Sequence, residues 1–292
     1  MAVEKLCHRW DSPFPEMAIR AAIADSFPDL VHARPPIEIR RLAGLRKVIS
    51  ISERSLDCDG MISLTDSGAY IIEVNKDHPK TRQRFTIAHE IGHTFFFESD
   101  DSVRRRYRIR DSGLESLSRS SQEEYFCNYA AAALLMPYHQ FGSLIRQTGP
   151  SANSLRKLGR SFDVSLQAVA RRAAQLLSLT LVTALWEYDA STSSYLTRWL
   201  IGRTSKDRSS KQSLRVKKND PAFEILHSHD QFRGPLWISL GGPLDDYFVD
   251  ATAFVSEATR KVLTVFLLDP NPSLLLKKRE VPLRIEEQLL LF

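Results

Sequence analysis

Cysteine is scarce in this chain, with Cys7, Cys58 and Cys127 the only three in 292 residues. So odd and widely spaced a set offers no disulfide framework and no Cys-x-x-Cys metal pair, as expected of a chain kept in a reducing compartment. Long apolar runs are lacking too. Stretches such as 129–136 and 265–268 fall far short of the roughly 20 residues that a membrane span requires, so no membrane association is expected. The opening MAVEKLCHRWDS has no apolar core behind its charges, so no secretion signal is expected and the chain is read as cytoplasmic. Excess charge of one sign is small. Forty Lys and Arg against 35 Asp and Glu leave +5, too mild to imply a nucleic-acid partner by itself. No internal repeat is visible.

What is present is the make-up of an ordinary folded protein, 43% apolar and 26% charged, which excludes disordered, fibrous and coiled-coil chains. At roughly 100–200 residues per domain, the length suits two units. Residues 61–75 read as a hairpin, MISL and AYIIEVN about a TDSG turn. In RFTIAHEIGHTFFF, Phe85, Ala88, Ile91 and Phe95 recur at three- and four-residue spacings, which predicts a helix with one buried face. Another helix is expected from Ser120 or Ser121 to Pro137. Residues 155–179 predict two short helices about a turn at Phe162–Val164, with Ser165 capping the second. Leu158, Phe162, Val164, Val169 and Leu176 would form their small core. As a DNA reader the pair would turn Leu166, Gln167 and Arg171 to the major groove; as a structural element it would brace the domain before it.

Beyond residue 180 the texture changes. LTLVTALW, YLTRWLI, PLWISL, YFVDATAFV and KVLTVFLL predict an antiparallel or mixed sheet, with helix near Pro221–Leu226 and after Pro282. The organisation expected is therefore 1–140, a helical segment 141–180 and a sheet domain 181–292. Two basic runs stand out. Residues 203–218 hold seven basic residues against Asp207 among many serines, the composition of a solvated loop. Residues 101–110 hold five arginines against Asp101 and could be a loop, a phosphate-contacting patch or a dock for an acidic protein surface.

The informative residues are His89-Glu90-Ile91-Gly92-His93. Two histidines four apart on a helix share a face and can reach one ion, while Glu90 stands beside the open position as a general base. Zinc suits such nitrogen and carboxylate donors, with manganese or iron as substitutes. A hydrolytic zinc site takes three protein ligands, and the third is expected on the next helix at Glu124, with Glu123 as the alternative. Asn128, four residues on, would hydrogen-bond a ligand histidine. Ser120 with Glu123, or Ser121 with Glu124, has the spacing of a helix-capping pair, and Ser120–Glu123 can cap while Glu124 binds metal. His139 is a weaker candidate, as ligand or oxyanion partner, and HSHD at 227–230 reads as a loop. The strand Ile71, Ile72, Glu73, Val74 is expected to be a sheet edge that aligns a substrate peptide.

RQRFTIAHEIGH followed by EEYFCNYAAAALLMP resembles the ImmA/IrrE family of bacterial and phage metallopeptidases over about residues 15–180. The resemblance implies zinc on His89, His93 and Glu124, with Glu90 as general base. It implies an α+β protein: a minimal zincin-like peptidase domain, a helix-turn-helix-like segment, then a smaller mixed α/β, GAF-like sensory domain. It further implies cleavage of a helix-turn-helix transcriptional repressor in stress or mobile-element regulation, with DNA contact through the helical segment and a small ligand in the last domain as further possibilities. Some relatives are encoded as partners in toxin–antitoxin-like operons, so the alternative expectation is a metal-binding transcriptional regulator or toxin–antitoxin-type partner that acts by DNA or protein binding without proteolysis. Two positions depart from the family pattern, Cys127 for alanine and Ala130 for phenylalanine. Cys127 reads as a buried packing thiol, with metal competition or oxidation sensing as the alternatives.

Overall fold

The structure, a computed structural model, describes residues 2–99, 121–177, 181–202, 214–238, 245–255 and 260–267. The arginine run 101–110, Ser120, most of the basic stretch 203–218 and the helix expected after Pro282 lie outside them. The chain divides into two compact units. Within the described residues the first holds 2–141 and 161–165, and the second 142–160 and 166 onward.

The first unit opens with helices α1 (Ala2–Arg9), α2 (Pro15–Ser26) and α3 (Ile39–Leu45), none of them marked by a motif in the sequence. A three-stranded sheet follows: β1 (Val48–Arg54), β2 (Gly60–Leu64) and β3 (Tyr70–Asn75). The hairpin β2–β3 is present as expected, antiparallel from Gly60↔Val74 to Leu64↔Tyr70. The sheet order, however, is β1-β3-β2, with β1 parallel to β3. Ile71, Ile72, Glu73 and Val74 are therefore central, paired on one side with Ser50–Glu53 and on the other with Gly60–Ser63. The expectation of a substrate edge there is wrong, because a strand whose ladder groups are paired on both sides has none to offer a peptide. Among the described residues the edges are β1 and β2.

Helix α4 (Lys80–Ser99) carries the histidine motif. Its first turn is tied to the end of β3, where the Gln83 amide donates to the carbonyls of Asn75 (3.1 Å) and Lys76 (3.2 Å). Its far end is held by Arg46, which donates to Thr94 and Ser26 (both 3.0 Å), pairs with Glu98 (2.8 Å) and lies over the Phe95 ring. From Glu90 to Phe97 every residue is buried, so the helix is enclosed rather than one-faced. Each large apolar side chain sealed there, such as Phe95, Phe96 and Phe97, stabilises by about 1.5–3 kcal/mol. Helix α5 (Ser121–Leu135) packs along α4 and stops before Pro137, which cannot continue a helix.

Helix α6 (Tyr138–Thr148) leads to α7 (Ala152–Phe162) and α8 (Leu166–Leu176), the expected pair, with Asp163 at φ +51° in the turn. Leu158, Phe162, Val164 and Val169 are buried, whereas Leu176 is only partly so. In the second unit α8 packs on strands β4 (Leu181–Asp189) and β5 (Ser194–Gly202), burying Val169, Ala170 and Ala173. The helix thus supports the sheet of its own unit. That sheet adds β6 (Arg215–Lys217), β7 (Gln231–Ile238), β8 (Asp245–Val255) and β9 (Arg260–Leu267) in the order β6-β5-β4-β9-β8-β7, with antiparallel pairing throughout. Helix α9 (Pro221–Ser228) covers it with Phe223 and Leu226, and Trp186 donates to Thr264 (2.8 Å) inside the core.

Candidate metal centre

Helices α4 and α5 approach closely because small residues face each other. A Cβ added at Gly92 would lie 3.1 Å from Cys127 Cα, 3.2 Å from its carbonyl oxygen and 3.3 Å from Ala130 Cβ. The two positions that depart from the family pattern are therefore contact points of this crossing. The closeness lets short side chains on α5 reach both histidines of α4.

His89 Nε2 lies 3.1 Å from one oxygen of Glu124, and His93 Nε2 lies 3.5 Å from the other. The imidazole centroids are 5.0 Å apart. Each ring is held from behind as well. His89 Nδ1 meets Asn128 Oδ1 at 3.1 Å, the contact expected from the i, i+4 spacing of Glu124 and Asn128. His93 Nδ1 meets Glu123 Oε1 at 3.1 Å and Cys127 Sγ at 3.3 Å. Glu90, 2% exposed, is enclosed beside them.

Glu123, expected as the capping partner of Ser120 or as the alternative ligand, holds its 1%-exposed carboxylate 3.1 Å from His93 Nδ1. Adjacent glutamates at the start of a helix fit the capping pattern equally well, and only the helix crossing separates their roles. His139 is exposed on α6 and takes no part in the cluster. HSHD is dispersed: His227 meets the Tyr195 hydroxyl (3.3 Å), His229 packs on Phe232, and Asp230 pairs with Arg260 (3.0 Å).

The donors fit a divalent ion. Two imidazole Nε2 atoms and one carboxylate converge, while both Nδ1 atoms are occupied, the arrangement that fixes a histidine's tautomer for metal. The local field agrees. Burial works against a proton on His89, but the Glu124 hydrogen bond, the charges of Glu90 and Glu124 and the Asn128 contact outweigh it and raise the pKa.

Two donors compete for the third place. Glu124 faces both Nε2 atoms, whereas Cys127 offers a sulfur that, with one nitrogen from each histidine, forms a set lying within 4.8 Å. Glu124 lies on the Nε2 side of both rings, whereas Cys127 Sγ touches the opposite nitrogen of His93 and is buried.

Fold and site together define a zincin-like metallopeptidase domain. Residues 48–174 match the family described as the IrrE N-terminal-like domain. The radiation response metalloprotease IrrE of Deinococcus deserti is 36% identical over 114 residues, 37% of this chain and 39% of that protein. The protein of the same name from Deinococcus radiodurans is 36% identical over 95 residues, 32% of this chain and 28% of its own length. The matches thus span well under half of these relatives. A solved structure titled as a Mycobacterium tuberculosis transcriptional regulator is similar over 94% of this chain and 95% of its own, with a TM-score of 0.51. At 14% identity that likeness is one of fold.

Proposed function

We propose that the protein is a zinc-dependent endopeptidase that cleaves one protein, a helix-turn-helix transcriptional repressor, in the cytoplasm. The observation that carries this reading is the convergence of His89, His93 and Glu124 with Glu90 enclosed beside them. His89 Nε2, His93 Nε2 and the Glu124 carboxylate would hold the ion, with manganese or iron able to substitute. When bound, the ion supplies a Lewis acid that makes water acidic near neutral pH and polarises the scissile carbonyl. Glu90 removes a proton from the attacking water and delivers it to the leaving amine. Asn128 and Glu123 keep the imidazoles oriented.

Substrate alignment passes from β3 to β2 in this reading. Strand β2 packs against α4, and its first residue Gly60 lies so near Thr86, one turn before His89, that a Cβ would collide with the threonine methyl and with the Glu73 carbonyl. An extended peptide added to this edge would run past the metal ligands. The second unit we read as a GAF-like control domain for a ligand or partner. Exposed Arg171 and half-buried Gln167 are the polar groups of α8 that a DNA duplex would meet.

The test is Glu90→Gln, which removes the base and keeps the ligands. Co-expressed with the cognate repressor, it should retain metal and leave the repressor intact, whereas the parent cuts it. Cleavage by the variant at parental rate would sink the mechanism.

A further inference from the structure

We propose that Cys127 gives this centre a second, mutually exclusive ligand set, His89, His93 and Cys127, which captures thiophilic ions such as Cd2+ and thereby shuts off the carboxylate set. The proposal rests on the reading of His89 and His93 as metal ligands. Three observations carry it.

The first is geometry. One ligand atom from each of the three residues lies within 4.8 Å of the others, and Cys127 Sγ is already 3.3 Å from His93 Nδ1, the nitrogen that Glu123 also meets. Around one tetrahedral ion, with bonds of about 2.0–2.1 Å to nitrogen and 2.3 Å to sulfur, neighbouring donors sit roughly 3.3–3.6 Å apart. Side-chain rotations of about an ångström therefore close the set, and a larger soft ion with longer bonds needs less.

The second is environment. Cys127 and His93 are both 0% exposed, so an ion held between them is shielded from water. The Glu124 side chain, by contrast, is 31% exposed and can turn out to solvent when sulfur displaces it. The third is donor chemistry. Glu124 and Cys127 lie three apart on α5, close enough to serve the same pair of imidazoles, and they differ in softness: carboxylate suits zinc, manganese and iron, and thiolate suits softer ions. Because both sets share His89 and His93, one ion excludes the other. Binding to sulfur replaces the thiol proton, which passes to solvent, and leaves no oxidation state changed.

The test is titration of the metal-free full chain with Cd2+, read by the near-ultraviolet thiolate-to-cadmium charge-transfer band, beside Cys127→Ala and Glu124→Gln, with circular dichroism to confirm folding. We expect the band at one ion per chain in the parent, its persistence in Glu124→Gln, and its loss in Cys127→Ala with at least tenfold weaker Cd2+ binding. Absence of the band in the parent overturns the proposal. So does a band that survives Cys127→Ala, since it would belong to Cys7 or Cys58. A parent that takes up zinc through Glu124 but shows no cadmium–thiolate band keeps the peptidase reading and ends this one. If neither ion binds, both fall.

Discussion

His93 shows how much one side chain depends on its surroundings. Fully buried, it presents Nε2 toward Glu124 while Glu123 and Cys127 meet its other nitrogen. Partners of this kind typically change metal affinity by about 10–100-fold when removed. Glu123→Ala should therefore weaken zinc binding by about that factor in competition with a chelator, while Glu123→Gln, which keeps an acceptor, should recover most of it. Equal affinity in all three proteins would assign Glu123 to packing alone. The histidine–glutamate motif and its helical spacing made His89, Glu90 and His93 legible from sequence, and the i, i+4 rule found Asn128. Glu123 was not legible. Its role follows from how α5 is rotated against α4, which no local pattern encodes.

At the scale of elements, close approaches decide the geometry. Gly92→Ala adds a methyl against the backbone of Cys127, which cannot yield as a side-chain tip would. Overpacking of this kind costs about 1–3 kcal/mol, more than the up to 1 kcal/mol that alanine gains over glycine within a helix. We expect a lower denaturation midpoint and weaker zinc binding; an unchanged pair of values would show that the crossing is looser than it looks. In the second unit, Asp250 on β8 accepts from the Ala152 backbone N–H at the start of α7 (2.8 Å). Burial raises its pKa, against the pull of that hydrogen bond and of the Arg233 charge. The folded chain thus holds this proton to higher pH than the unfolded chain, and the linked stability, full below the ordinary value of 3.8, falls as pH rises through the raised one. Relative to Asp250→Asn, the parent should gain stability as pH drops from neutral toward 4, as read by denaturant midpoints. A pH-independent difference would contradict the assignment.

Element legibility divides along the same line. The five apolar runs after residue 180 became β4, β5, β7, β8 and β9 because β-branched and aromatic residues alternate within clear turn signals. The place of β3 in its sheet was not available locally. Strand β1 joins it in parallel from some 20 residues upstream, across the β2 hairpin, so sheet order depends on long-range pairing.

Across the whole molecule, two compact units combine a domain that matches the IrrE N-terminal-like family with a six-stranded antiparallel sheet. The motifs in the sequence point to a metal-site chemistry for the first unit, but nothing in them specifies what the second unit recognises. A packed sheet and its helix arise from apolar alternation alone, whereas a ligand leaves its mark in a few side chains of no fixed spacing. The account stands on the centre between α4 and α5. Its most direct test is the zinc content of the purified full chain, measured beside His93→Ala, Glu124→Ala and Glu90→Gln after each is shown to be folded. About one zinc per chain in the parent and in Glu90→Gln, with loss in the other two, is the predicted result. Zinc retained without His93 or Glu124, or none taken up by the parent on titration, would contradict it.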